Sequence, residues 1–574
     1  MSTSFVLNRW LNRLYKTIAV LLVLVAVLMS AVRLFLPYAH HYKGAFEDYI
    51  NGKYQSGIAI NTLTLGWKNF GPTLIAKDVT LLETASASIV IDAINIHVNF
   101  WESVKQQKLV ARNLTLDGVA FNIDQALARS SNGTTNDQQL LDDTLDLFLT
   151  QISQFSLKNS QLLITNGDIK RKLLINHLNW RNTGERHLAS GDVKIDGVSS
   201  NHLKLLVDLS GTEKSNLTGQ VYLHANELNI TPWLDNLLAV EGDNVKSDIN
   251  FSAWLDVKDG RSTQLLFQLA ENEIAWQEAD QVQTLGLSGG QILLLANHDH
   301  TGFLLDTSFL AFKVNEKLSD PFRIGLVKNS NGISGNLSSL DLSTLDFLAP
   351  LLIKEESTLS LVQGLDLKGN VEDLFFKSSV DKGLMVSTSF DNVNVRFSQG
   401  IPGVDNISGQ ALYADDQFKI SLLAQDGHLD FSKHFMYPIP YSQIKTEVFG
   451  TLSDEATIVK VKDIQFTSHQ LEIDADVQVE VPAQGKAEMS LLASVANGNA
   501  EFAPYFYPHL LMGDDLVNYL TRAIKSGKIE HAAVLVNGPL SNFPFNDNSG
   551  IFVVDAELAD SEFSFDAEWP SIKQ

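Results

Sequence analysis

A few side chains in this sequence have the type and spacing that chemistry requires. Gly286-Leu287-Ser288-Gly289-Gly290 matches the G-x-S-x-G pattern of a hydrolase nucleophile elbow. That pattern works only where a strand turns into a helix and lifts the hydroxyl out of the fold. Here a strand-like run, Gln291 to Ala296, follows, so Ser288 reads as part of a turn, and an esterase reading rests on Ser288 alone. His298, Asp299 and His300 could chelate a metal, but NHDHTG between two apolar runs has the composition of a hairpin tip. Asp142, Asp143 and Asp146 lie on one side of a helical pattern over Gln138 to Ile152. Their spacing and number match no loop-type calcium site, so they read as a solvated helix face. His40 and His41 read as a wet collar at a membrane interface. Cysteine is absent, which removes disulfides and thiolate chemistry. There is no P-loop, dinucleotide fingerprint or HExxH. The expectation is a protein that is not an enzyme, with no catalytic residue, metal site or cofactor.

The elements that would position any site begin with an apolar stretch. Thr17 to Val32 carries no charge, and Leu34 to Leu36 extend it past Arg33. About 20 apolar residues suffice for a membrane-crossing helix. Arg9, Arg13 and Lys16 precede the stretch, and the first acidic residue is Glu47. No clean small-x-small cleavage site follows, so the stretch reads as an uncleaved, single-pass anchor, and the positive-inside rule predicts a cytoplasmic N-terminus with the bulk of the chain across the membrane. The net charge of −24 argues against nucleic acid as partner and against broad docking on anionic lipid headgroups.

Beyond Ile58 the apolar residues alternate. Ile94, Ile96, Val98 and Phe100 alternate with Asn95, His97 and Asn99. Leu114, Leu116, Val119, Phe121 and Ile123 repeat the pattern across Asp117-Gly118. Alternation with turn signals every 8 to 12 residues predicts strands with one dry and one wet face. An apolar-Ser-Gly tripeptide recurs at Leu209, Leu287, Ile333 and Ile407, with no fixed period. Short helices are expected over Thr231 to Leu238, Ser343 to Glu355, and from a cap at Asp514 to Gly527. Strands are expected to resume at LSLVQGLDLKGNV, from Leu359.

The predicted fold is mainly β: an N-terminal transmembrane helix, then a long, curled, predominantly antiparallel sheet with a few short helices. The expected divisions are 1–16 cytoplasmic tail, 17–36 transmembrane helix, 37–57 connector, 58–125 first β segment, 126–153 polar loop and helix, 154–500 extended β-groove, and 501–574 short helix and further strands. About 30 strands at about 4.8 Å would span roughly 140 Å. So much one-sided apolar surface either closes into sandwiches with dry cores or curls incompletely and leaves a long apolar groove that a ligand fills. A groove of that length suits lipid tails. Its candidate wall is Ile94, Ile96, Val98, Leu114, Leu116 and Phe121, and later Ile551, Val553, Phe563 and Phe565.

Three stretches carry a family resemblance. They are SGIAINTLTLGWKNFGPTLIAKDVTL after Leu36-Pro37, LDLFLTQISQFSLKNSQLLI, and the block from Tyr505 to Pro570 with its Tyr-x-x-Pro, Phe-Pro-Phe and Trp-Pro landmarks. The chain resembles the YhdP group of AsmA-like (TamB/AsmA-related) proteins over nearly its whole length. The resemblance implies bridge-like transport of glycerophospholipids from the inner toward the outer membrane along a periplasm-spanning, taco-like β-groove. It implies that the anchor lies in the cell inner membrane with the bulk of the chain periplasmic, and it implies phospholipids, the inner membrane and other inner-membrane proteins as partners. Family members are about twice as long, so the resemblance also implies a truncated sheet whose missing C-terminal part would reach the outer membrane. The alternative is a membrane-tethered β-rich scaffold that organises envelope partners without carrying lipid.

Overall fold

The computed structural model describes residues 3–35, 43–54, 58–68, 71–83, 87–98, 105, 111–124, 149–150, 152–166, 169–196, 202–231, 245–278, 281–296, 302–315, 317–379, 382–566 and 568–573. Helix α1 (Thr3–Phe35) is continuous, so the segment ahead of the apolar stretch is helical from Thr3. Trp10 to Val27 has a mean hydropathy of 1.6 over 18 residues, and none of this window is buried by the rest of the chain. An apolar helix without protein cover suits lipid, which makes α1 consistent with a membrane anchor. Helix α2 (Lys43–Tyr54) is tied to the first strand. The Asn51 amide brackets the Ile58 backbone, donating to its carbonyl and accepting from its N–H, both at 2.9 Å. The Ile60 N–H donates to Glu47 Oε1 at 2.6 Å.

Thirty strands follow among the described residues. In chain order they are β1 (Ala59–Lys68), β2 (Gly71–Glu83), β3 (Ala87–Val98), β4 (Ala111–Asp124), β5 (Gln154–Asn166), β6 (Ile169–Thr183), β7 (Arg186–Ile195), β8 (His202–Ser210), β9 (Thr218–Leu228), β10 (Val245–Lys258), β11 (Arg261–Leu269), β12 (Glu271–Glu278), β13 (Gln281–Ser288), β14 (Gln291–Ala296) and β15 (Phe303–Thr307). They continue with β16 (Ala311–Val314), β17 (Lys317–Leu318), β18 (Ile324–Asn329), β19 (Gly332–Asp341), β20 (Lys368–Ser379), β21 (Gly383–Val395), β22 (Gly403–Ala414), β23 (Gln417–Asp430), β24 (Ile439–Leu452) and β25 (Ala456–Thr467). The last are β26 (Glu472–Pro482), β27 (Glu488–Asn499), β28 (Ile524–Pro539), β29 (Ile551–Phe563) and β30 (Ile572–Lys573). The chain divides into two compact units, residues 1–229 with 249–267, and residues 230–248 with 268–574.

In the first unit, β1 to β9 pair each with the next, and β9 with the later part of β10. All these pairs are antiparallel except β4 with β5, which are parallel. The register aligns apolar residues into continuous rows. One row runs Leu63, Ala76, Ile94, Leu116, Leu157, Leu178, Gly191, Leu205, Leu223, Ala253. The next runs Leu65, Leu74, Ile96, Leu114, Phe155, Trp180, Ala189, Val207, Val221, Leu255. The row between them, on the other face, begins Thr64, Ile75, Asn95, Thr115, Ser156, Asn179 and Ser190. Val79, Ile91 and Val119 are at most 1% exposed, with Phe46 of α2 packed against their cluster.

In the second unit, β19 to β30 form an antiparallel meander. Ahead of it β14, β15, β18 and β19 pair in that order. The first four residues of β10 pair with β12, followed by β13, β16 and β17. One edge of this unit carries the helical connections: α3 (Leu345–Leu352), α4 (Glu356–Gly364), α5 (His509–Met512) and α6 (Asp514–Ala523), with 3-10 turns at Ser432–His434 and Ala500–Phe506. The opposite edge has tight turns such as Asp415-Asp416 and Ser453 to Glu455.

The helical boundaries differ from expectation in two places. Residues from Leu359 do not resume a strand, because Glu356–Gly364 is helical. The Glu355 carboxylate collects the hydroxyls of Ser357 and Thr358 at 2.9 and 3.1 Å, which favours a helical first turn. The later helix starts after Gly513 (φ 75°) and ends at Ala523, four residues before Gly527, which lies within β28. Asp514 and Asp515 occupy its first turn, where the helix dipole favours negative charge. The expected helices at 138–152 and 231–238 fall almost wholly outside the described residues.

Regular alternation breaks once in many strands, always in the same way. Asp78, Gly118, Asn159, Glu227, Asp373, Asn392, Asn406, Asp426, Asp463, Asn497 and Asp560 all have φ between 47° and 66°. At several of them the register shifts as at a β-bulge, for example between Phe390 and Val393, Val404 and Ile407, and Val461 and Ile464. At Asp78, Gly118, Asn159 and Asn497 the pairs on either side keep a constant register. Asp and Asn tolerate the left-handed conformation because their side chains bond locally. The neighbouring strand supplies the partner. Asn406 N–H donates to Asn394 Oδ1 at 3.0 Å, Asn392 N–H to Ser408 Oγ at 3.1 Å, and Asp463 N–H to Asp476 Oδ1 at 3.0 Å. Bulges bend a strand and increase its twist. The phase change from Leu114 and Leu116 to Val119 and Phe121 falls at Gly118 (φ 66°), where β4 keeps its register with β3: Ile94 still faces Leu116 and Ile91 faces Val119.

Candidate functional site

Ser288 ends β13, and Gly289 (φ 53°) and Gly290 (φ 95°) turn the chain straight into β14. Its hydroxyl donates to the Ala311 carbonyl at 3.3 Å. This is strand–turn–strand, and a nucleophile elbow needs strand–turn–helix. His298 to His300, His40, His41 and the Asp142 group lie outside the described residues. No group of three or more His, Cys, Asp or Glu is placed to hold a metal ion among the described residues.

What the fold does assemble is the apolar rows. Ile94 and Leu116 stand side by side in one, Ile96 and Leu114 in the other. Leu116 is 3% exposed, and Ile94, Leu114 and Phe121 pack against its cluster. Phe121 lies between Ile89 and Leu162, and Val98 pairs with Ala111. In this unit the row through Leu63 is buried at Leu63, Ala76, Leu116, Leu157 and Ala253, while most of the row through Leu65 is half-buried.

The second unit has a half-buried apolar row as well. Its central row is Ala411, Ile420, Val448, Val461, Val477, Leu491, Val536 and Phe552. All but Val536 are half-buried. Toward the helical edge, the row Ile407, Ala424, Ile444, Phe466, Ile473, Val495, Ala532 is covered by Phe431, Phe435 and Phe506. Phe466 makes edge contacts with Tyr441 and Phe506, with centroids 6.4 and 6.2 Å apart. One side of the face is thus sealed by aromatic rings, and the middle is accessible.

The reverse face is charged. Its row runs Lys419, Phe449, Lys460, Gln478, Ser490, Asn537 and Ile551. Lys419 Nζ lies 2.9 Å from Glu447 Oε1, and hydrogen bonding from Lys419 holds that carboxyl below its usual range. Ile551 therefore lies in a polar row, and Val553 sits opposite Leu535 in the row with Leu492 and Asp476. Both are about half exposed. The residues of β29 that share the apolar face are Phe552 and Val554, one position out of phase with expectation, because an all-apolar run, Ile551 to Val554, hides its own parity. Beyond the Asp560 bulge, Phe563 returns to the apolar face, and Phe565 contacts it edge-on at 4.7 Å.

Tyr441 closes the sealed edge and gives a pH signature. It is 4% exposed, and its hydroxyl donates to the Asp405 carbonyl. Burial, with the nearby Asp405 charge, pushes its phenol up to about 12. A folded-state value above the unfolded one adds stability that is complete below about 10 and is lost as pH rises toward about 12. Spectrophotometric titration at 295 nm should show a late-ionising tyrosine that Tyr441→Phe removes. An unchanged alkaline limb would contradict this assignment.

The family model described as YhdP protein matches residues 1–574. The chain belongs to the YhdP family. A curated member of that family, the intermembrane phospholipid transporter YhdP of Escherichia coli (strain K12), is 22% identical over 574 residues. The match covers 96% of this chain and 45% of the relative, so the chain spans about half the relative's length. Sequence reasoning missed the YhdP-family chain's central row from Ala411 to Leu491. The signal was present: an apolar residue, any residue, Asp or Asn, then an apolar residue, as in Val461-Lys462-Asp463-Ile464, marks where the phase resets.

Proposed function

We propose that this chain conveys glycerophospholipids from the inner toward the outer membrane, with acyl chains lying on the apolar sheet face and headgroups in water. Helix α1 anchors it in the inner membrane with the N-terminus cytoplasmic, as Arg9, Arg13 and Lys16 favour. The observation that supports this reading is the central row from Ala411 to Phe552, which continues from strand to strand and is half-buried at every position but the buried Val536. An apolar strip of that extent is rare on a protein without a ligand to cover it. The transporter named among its relatives supports the cargo class. The dry core around Val79, Ile91 and Val119 favours a second reading for the first unit: a closed, scaffold-like segment.

Neighbouring residues with opposite parity provide the test. Photo-crosslinking side chains at Ile420, Val461 and Val477 should capture phospholipid. The same groups at Lys419, Lys460 and Gln478, each next in sequence but on the reverse face, should capture several-fold less. Equal capture from both faces would defeat the proposal and leave the scaffold reading.

A further inference from the structure

The polar face of the first unit carries a shallow cleft of about 1120 Å³ across β5 to β10. Its floor follows the row Gln154, Arg181, Leu188, Asp208, Gln220, Asp256. The charged side chains that line the cleft balance in number, Arg181 and Arg186 against Asp208 and Asp256. Arg186 grips Asp208 through two hydrogen bonds of 2.8 and 2.6 Å, and Gln220 donates to Asp256 at 2.8 Å. Beside them lie apolar islands: Leu188 and Leu206, 36% and 49% exposed on an otherwise polar face, and Tyr222, whose ring leans on Trp254 at 5.3 Å. At one end the Arg181 guanidinium and Gln154 amide make no side-chain hydrogen bond among the described residues.

We propose that this cleft binds a polysaccharide chain of neutral or N-acetylated sugars lying across the strands. Compensated charge disfavours a simple anion, and polar pairs crossing the floor break up any strip that an acyl chain could follow. A pyranose presents C–H faces between hydroxyl edges. That alternation matches apolar islands set among planar amide, carboxylate and guanidinium groups, which bond in fixed directions. An extended β-1,4-linked pyranose chain rises by about 5 Å per sugar, near the interstrand spacing of about 4.8 Å, so successive sugars meet successive strands. Arg181 and Gln154 supply uncommitted donors for acetamido carbonyl or hydroxyl oxygens.

The test uses the full chain in lipid nanodiscs with tetra-N-acetylchitotetraose and cellotetraose as probes, read by saturation-transfer NMR. Saturable transfer is expected to the sugar C–H protons. Arg181→Ala and Tyr222→Ala should each weaken it by about tenfold, the effect of losing one charged hydrogen bond or one aromatic contact. Val477→Asp should leave it unchanged. No saturable transfer to either probe would overturn the proposal, as would transfer indifferent to Arg181→Ala. Displacement of the sugar by dihexanoylphosphatidylcholine would reassign the cleft to a lipid headgroup and overturn it as well.

Discussion

Val477→Asp should stop phospholipid from moving along the apolar face of the second unit while leaving the sheet folded. Val477 sits between Val461 and Leu491 in the central row. It is half-buried, so in the empty protein a carboxylate there keeps part of its hydration and the sheet tolerates it. Once acyl chains cover the row, that hydration is lost. The penalty for a charged side chain in hydrocarbon on insertion scales, about 2.5–3.5 kcal/mol, sets the expected loss at roughly a hundredfold or more in transfer rate. Gln478→Asp is the matched control: the same charge one residue along, paired with Lys460 and Ser490 on the reverse face. Transfer of fluorescent phospholipid between vesicles, with circular dichroism to verify folding, reads both. Normal transfer by a folded Val477→Asp protein would remove this face from the lipid path.

Phe466→Ala should have the largest effect on stability. Its ring is 7% exposed, held edge-on between Tyr441 and Phe506, and it closes the sealed edge of the face. Truncating a buried phenylalanine costs about 3–5 kcal/mol. Phe449 is the comparison. It lies on the reverse face, where Lys419 Nζ stands 5.3 Å from its ring centre, and Phe449→Ala should cost under about 1 kcal/mol. A two-unit chain has no single unfolding free energy, so the measurement is amide exchange in β24 to β26. Phe466→Ala should accelerate exchange there by a hundredfold or more, and Phe449→Ala by less than tenfold. Comparable acceleration by both would mean that the aromatic seal is not what holds this edge.

Much of this architecture could be read from alternation. The patterns of Ile94 to Val98 and Leu114 to Phe121 are those of strands with one dry face, and the register places them side by side. Parity failed where alternation itself failed. In Ile551-Phe552-Val553-Val554 every residue is apolar, so only the pairing of Asn537 with Ile551 and Val536 with Phe552 identifies the inward pair. The helix at Glu356–Gly364 was hidden because Leu359, Leu361 and Leu365 alternate like a strand, while the structure-determining contact is the Glu355 carboxylate with two hydroxyls. Whether the face is open or sealed was not legible at all. It depends on Phe431 and Phe435 from the connection between β23 and β24, and on Phe506 from the distant connection after β27, which together cover Ala424 and Ile444.

The line of left-handed Asp and Asn residues has a bearing on how such a chain can change length. Where such a residue shifts the register, as at Asn392, Asn406 and Asp463, the phase of the strand is counted from its own bulge and not from the start of the chain. A hairpin carrying its own markers can then be duplicated or deleted, and the rows on either side still meet in phase, whereas a single-residue slip would turn a whole strand inside out. In that sense the fold resembles a ruler with graduations at many of its strands. Families built this way can lengthen in steps of two strands without redesigning the surface that the steps extend.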